Sequence, residues 1–220
     1  MILCCTAGCQ KTFSKKNKAN QFCVTVQTPE SFNESNVLTL TYLSKEDEPH
    51  TDTLMKSEHL YIVRGDDLQY PVKAFIEVSG QRGFFPFILH SDSLTINLAS
   101  HVNESVVLNS PLNKEWLALV KASEKSFKQI SYLYPQIQKA RLENNHEVLE
   151  RIYRDIEVVK EQQKQLLLEY VQTHPKSQLN AIILNDLYKN YPQDSLVLKN
   201  QAGQLRDSQK KGLIYELWSP

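Results

Sequence analysis

The sequence predicts an α+β fold: an antiparallel β-sandwich-like module over residues 21–110, followed by an all-helical module over 111–220, with residues 1–20 as a tether. Three observations predict it. The first half is rich in Val, Thr, Phe and Tyr, in short runs that alternate with period two. No glycine occurs between Gly83 and Gly203, and that stretch is rich in Leu, Glu, Lys and Gln, a helical composition. The character changes at Asn109-Ser110-Pro111, where a capping residue precedes a proline.

Residues 21–28 alternate and are stopped by Pro29. Residues 37–43 place Val37, Thr39, Thr41 and Leu43 opposite Leu38, Leu40 and Tyr42, the pattern of a half-buried strand. After a polar loop, 51–56 and 59–64 predict a short hairpin that ends at R-G-D-D. The strand at 72–78 turns Val72, Ala74, Ile76 and Val78 to one side. F-F-P-F-I-L-H follows a glycine turn, and its Pro86 cannot donate to a ladder, which predicts an edge strand or a bulge. L-T-I-N-L alternates again, and V-V-L at 106–108 closes a series of about eight strands.

In the second half, Ser110 or Asn113 is positioned to start a helix whose stripe includes Trp116, Leu117, Val120, Phe127, Ile130 and Leu133, with Pro135 as a kink or interruption. Asn144-Asn145 predicts a break. The stretch from Val148 to Val171 is amphipathic, so the two segments predict an antiparallel helical hairpin. His174-Pro175 ends it and Ser177 caps the next helix, with Leu179, Ile182, Ile183 and Leu187 buried. Tyr191-Pro192 breaks that helix, and Asp194 caps a last one carrying Leu198, Ala202 and Leu205.

The 220 residues hold 25 basic and 25 acidic side chains, 41% hydrophobic and 23% charged, which excludes a collagen-like, disordered or disulfide-dense chain. A net charge of zero gives no overall pull toward nucleic acid. The charge is nonetheless uneven. Residues 1–20 carry Lys11, Lys15, Lys16 and Lys18 and no acid, whereas 21–110 hold 5 basic and 12 acidic residues. No run of about 20 apolar residues is present to span a bilayer.

Thr6, Ala7 and Gly8 directly precede Cys9, and a polar, lysine-bearing stretch follows. This resembles the cleavage region of a bacterial lipoprotein signal, with Thr6 where leucine is usual, and it makes Cys9 the lipidation candidate. The expected address is the periplasmic side of the cell envelope, anchored to a membrane through an N-terminal lipid. A cytoplasmic location is the alternative if Cys9 is not an acceptor. Cys23 reads as a small buried hydrophobe in a strand. The spacing offers no C-x-x-C and no zinc pattern, so no catalytic residue, cofactor or metal ligand is expected. Asp66-Asp67 and the Gly80/Gly83 pair read as turns, and the alternating charges from Glu143 to Lys164 as a solvated helix face. Phe84, Phe85 and Phe87 stand out: a strand with Phe on both faces is either sandwiched between the sheet and the helices, the commoner case, or carries an apolar surface for a partner. Trp218 has the same character.

Taken in order, several stretches carry a resemblance. They are L-T-L-T-Y-L at 38–43, Y-I-V-R-G at 61–65, P-V-K-A-F-I-E-V at 71–78 and F-P-F-I-L-H-S-D-S-L-T-I-N-L at 85–98, then V-V-L-N-S-P-L-N at 106–113, Y-V-Q-T-H-P-K-S at 170–177 and L-R-D-S-Q-K-K-G at 205–212. Together they resemble the N-terminal domain of unknown function that precedes thioredoxin-like domains in lipoproteins of Gram-negative gut-type bacteria. Those proteins are described as thiol:disulfide interchange or peroxiredoxin-like proteins. The thioredoxin domain's C-x-x-C has no counterpart in this chain. The resemblance therefore implies a non-enzymatic binding or positioning module, with a thioredoxin-like domain or an envelope protein as its partner. The alternative is an accessory part of a thiol:disulfide oxidoreductase.

Overall fold

The structure, a computed structural model, describes residues 21–33, 35–44, 48–57, 60–66 and 68–218, with the side chain of Trp218 excepted. Cys9 and the whole 1–20 tether lie outside the described residues, as does Asp67.

The N-terminal half is a two-sheet sandwich and the C-terminal half is helical. In chain order the strands are β1 (Phe22–Gln27), β2 (Leu38–Leu43), β3 (Pro49–Thr53), β4 (Met55–Ser57), β5 (Leu60–Gly65), β6 (Val72–Val78), β7 (Phe85–Leu89), β8 (Ser93–Asn97) and β9 (Val106–Val107). One sheet has the order β4-β5-β1-β8-β9 and the other β3-β2-β6-β7. Alternation decides which side chains meet. Val24, Val26, Leu94 and Ile96 from the first sheet are buried against Leu38, Leu40, Ile76, Phe87 and Leu89 from the second.

All strand pairs are antiparallel except β1 with β8, which run parallel. A parallel pair needs a long crossover. Here the chain between them builds the entire second sheet.

The expected hairpin over 51–56 and 59–64 is half right. Met55–Ser57 does pair with β5, but Pro49–Thr53 pairs with β2 in the other sheet. Leu54 is the corner between them. Its side chain is buried and its N–H donates to the Leu38 carbonyl at 2.9 Å. Pro86 does lie on an edge strand, since β7 ends its sheet.

The helices are α1 (Pro111–Leu142), α2 (His146–Thr173), α3 (Leu179–Asn190), α4 (Ser195–Gly203), α5 (Asp207–Lys210) and α6 (Tyr215–Trp218). Ser110 caps α1, and its Oγ accepts from the Asn113 N–H at 3.1 Å. Pro135 neither breaks nor ends α1. It lies on the exposed face, where water reaches the carbonyl that loses its donor, and Gln136 Nε2 donates to the neighbouring Tyr132 carbonyl at 3.3 Å.

The Asn144-Asn145 turn divides its labour. Asn144 takes φ 50°, and the N–H groups of Asn144 and Asn145 return to the carbonyls of Arg141 and Ala140, which closes α1. Asn145 then opens α2, its side chain accepting from the Val148 N–H at 3.1 Å. Asp194 precedes α4 without capping it through its side chain, because the carboxylate is taken by Lys164 at 2.8 Å.

Two apolar clusters organise the helices. Leu119, Val171, Leu184, Leu187, Leu198, Leu213 and their neighbours form the main one. Ile137, Ile152 and Ile156 form a separate cluster near the tip of the α1–α2 hairpin. The hairpin is therefore an arm, with its own small core beyond the part that α3–α6 cover.

Gly65 shows how tightly the sandwich closes. It sits opposite Phe22 in the ladder, and a Cβ there would lie 2.3 Å from a ring carbon of buried Phe22. Gly65→Ala should therefore cost about 1–3 kcal/mol in urea unfolding. Gly203→Ala, in open space on a helix, should be neutral or stabilising by up to about 1 kcal/mol. Equal midpoints for the two variants would contradict this packing.

Candidate functional site

The helices leave one wide groove between the arm and α3. Phe127 and Ile130 from α1, Leu167 from α2 and Leu187 and Tyr191 from the end of α3 line its apolar part, and its volume is about 450 Å³. Helical spacing puts Phe127 and Ile130 on one side of α1, so the same stripe that packs against α2 also spills into the groove. Phe127 is 51% exposed.

The polar rim is arranged so that its cations are already neutralised. Lys164 Nζ lies 2.7 Å from Glu161 and 2.8 Å from Asp194, and it sits 5.1 Å above the Tyr191 ring. Those two hydrogen-bonded carboxylates push its pKa above the ordinary lysine value. Lys160 is held 2.7 Å from Glu157, and that hydrogen bond raises its pKa too. A charged ligand would have to displace these pairs. Apolar side chains would only have to displace water.

A second constellation lies where the sandwich meets the helices. His90 Nδ1 faces the Asp92 carboxylate at 3.4 Å, and His90 Nε2 is 3.0 Å from Ser110 Oγ. Carboxylate, imidazole and hydroxyl in that order are the parts of an acyl-transfer triad. Burial assigns them another role. Ser110 is 1% exposed, and its oxygen already accepts from the Asn113 N–H at 3.1 Å and from Asn113 Nδ2 at 2.9 Å. No lone pair is left to attack a substrate. The same Asn113 side chain holds β7: its Oδ1 accepts from the Ile88 N–H and its Nδ2 donates to the Ile88 carbonyl, both at 2.8 Å.

The strand singled out from the sequence is mostly interior. Phe85 and Phe87 belong to the sandwich core, and Phe87 is 2% exposed. Ile88 points the other way, into the helical core. Phe84 alone of the three is open, 50% exposed with its ring 5.4 Å from Phe75. Of the three Phe side chains only Phe84 is left on the surface, because Phe85 and Phe87 face the opposite sheet of the sandwich. Cys23 also departs from expectation. It is half-buried on the outward side of β1, opposite Arg64 and Ser93, since Phe22 and Val24 take the inward positions.

Sequence reasoning missed His90, Ser110 and Asn113 as one unit. Ser110 and Asn113 were visible only as rival caps, and nothing local pointed either one at β7. Among the described residues no three His, Cys, Asp or Glu side chains gather as they would for a metal ion, and no helix is long and apolar enough to cross a membrane. No protein-family model matches the chain, nor does any curated protein or solved structure.

These placements predict opposite results along one strand. Phe87→Ala should cost about 3–5 kcal/mol by opening a cavity, whereas Phe84→Ser should cost about 1 kcal/mol or less. Thermal or urea melts of the two variants check the contrast, and similar losses would mean that β7 is not oriented as described.

Proposed function

We propose that the chain is a non-enzymatic binding and positioning module of the cell envelope. It is tethered to a membrane by a lipid on Cys9, and its arm groove receives an amphipathic helix of a neighbouring protein. One observation carries the reading: the groove joins an apolar lining of Phe127, Ile130, Leu167 and Leu187 to a rim whose lysines are already paired. That chemistry favours the apolar face of a helix over a small anion or a nucleic-acid backbone. The tip cluster supports it as well, because an arm with its own core keeps its shape beyond the part that α3–α6 cover. The resemblance of the chain supplies the class of partner, a thioredoxin-like domain or an envelope protein that carries one.

A second reading, an accessory part of a thiol:disulfide oxidoreductase, is favoured by Cys23. A free thiol on the outward side of β1 meets a partner more easily than one in the core. In that reading Cys23→Ser abolishes a mixed disulfide with a thioredoxin-like protein.

A photo-crosslinking residue at position 127 separates these ideas. It should capture one protein through an amphipathic helical segment, and the same residue at Met55, which is 78% exposed on the far sheet, should not. Ile130→Asp should remove the adduct. Equal capture from both positions would overturn the groove reading. Mass spectrometry of the native N-terminus tests the anchor: a diacylglyceryl mass on Cys9 is expected, and an unmodified Met1–Cys9 segment would refute it.

A further inference from the structure

We propose that His90 is a proton-operated latch on the joint between the sandwich and the helices: the neutral imidazole closes the joint and the imidazolium loosens it. Every hydrogen and lone pair at the joint can be assigned. Asn113 Oδ1 accepts from the Ile88 N–H at 2.8 Å. Asn113 Nδ2 has two hydrogens, and both are used, one on the Ile88 carbonyl at 2.8 Å and one on Ser110 Oγ at 2.9 Å. Ser110 Oγ also accepts from the Asn113 N–H at 3.1 Å, so its two lone pairs are filled. Its own hydrogen remains, and His90 Nε2 at 3.0 Å takes it. The network therefore requires an unprotonated Nε2 and leaves the ring hydrogen on Nδ1, facing Asp92.

Protonation puts a hydrogen on Nε2. It meets the hydroxyl hydrogen head-on. The hydroxyl can rotate away, but its oxygen then faces three donors with two lone pairs. One of the two Asn113 bonds has to give, either the cap of α1 or the amide that holds Ile88. Ser110 is 1% exposed and Asn113 6%, so water does not replace the lost partner.

The elements that meet at the joint carry several charged groups. Asp92, on the turn after β7, is the one that acts on the imidazole, and it favours the cation. On α1, Lys114 is exposed and Glu115 is engaged by the Tyr170 hydroxyl. On β6, Lys73 is paired with Asp186 of α3. Burial outweighs Asp92 and holds the imidazole below its ordinary value of 6.5. The sign follows: the closed joint is fully favoured above about pH 6.5 and is lost as pH falls through the lowered folded-state pKa.

Amide hydrogen exchange on the full chain, from about pH 7.5 down to about pH 5, tests the latch, alongside an NMR titration of the His90 ring. Corrected for intrinsic rates, protection at Ile88 and Asn113 should fall about tenfold more than at Val24 and Ile96 of the sandwich core, the worth of roughly one buried hydrogen bond. The fall should track the His90 titration and be missing in His90→Gln. Asp92 is exposed, so Asp92→Asn should fold normally and move the transition to lower pH. Constant protection across the His90 titration would overturn the proposal. So would an identical fall in His90→Gln, or a transition that Asp92→Asn leaves in place.

Discussion

A sheet that ends beside a helix has an open row of backbone donors and acceptors, and a helix cannot extend a ladder. The joint in this protein is solved by one side chain. Asn113 offers Ile88 an acceptor and a donor, as the backbone of another strand would, at 2.8 Å on both sides. A carboxamide is the group that can do this, because it carries both functions a few ångströms apart. Asn113 sits at the third position of α1, so the contact also fixes where that helix begins. Ser110 and His90 complete the seal. Ile88 then enters the helical core, while Phe87 and Leu89 on either side of it enter the sandwich core. Both halves of the molecule are thus referred to the same three residues of β7.

Farther from that joint, other polar clamps set the angles between helices. Asn185 of α3 donates to the Gly212 carbonyl at 2.8 Å and accepts from the Ile214 N–H at 3.0 Å. Gln209 donates to the carbonyls of Pro175 and Ser177, and accepts from the Arg206 N–H at 2.9 Å. Tyr170 reaches Glu115 on α1 and Ser177 before α3, and burial raises the pKa of its hydroxyl, helped by Glu115. Each clamp satisfies backbone or hydroxyl groups at a helix end that burial would otherwise leave unpaired. Gly212 has a steric reason as well, since a Cβ there would come within 3.2 Å of Ala181 and 3.4 Å of Tyr70. With the ends pinned, α1 and α2 can run past the rest of the helices as an arm.

What the sequence made legible follows from the range of the forces involved. Period-two alternation reports burial on one side, so β1, β2, β6 and β8 could be read directly. The Asn144-Asn145 turn is local chemistry and was equally plain, and the start of α1 was narrowed to Ser110 or Asn113. Residues 51–56 were not, because nothing in that run says that Leu54 turns a corner and sends its two ends to different sheets. Asp194 looked like a cap until Lys164, thirty residues earlier, claimed its carboxylate. Phe85 and Phe87 looked exposable because the facing sheet that buries them is assembled from strands distant in the chain. The groove was half visible: Phe127 and Ile130 belonged to the expected stripe, but Leu187 and Tyr191 had to be brought to them by folding.

The two unusual places in the molecule differ in how they treat polar groups, and that difference separates their roles. At the joint, every donor meets an acceptor inside a dry contact, so a single extra proton has no place to go. A region with no spare capacity is suited to hold one geometry and to lose it abruptly. In the groove, the lysines of the polar side are held in ion pairs and the other side is apolar. A region of that kind discriminates by shape and by the spacing of apolar side chains, which is how helices recognise one another. The joint sets the direction of the arm, and the groove lies along it. Both are built on α1, so the proposed latch and the proposed binding groove share one helix and need no separate relay between them.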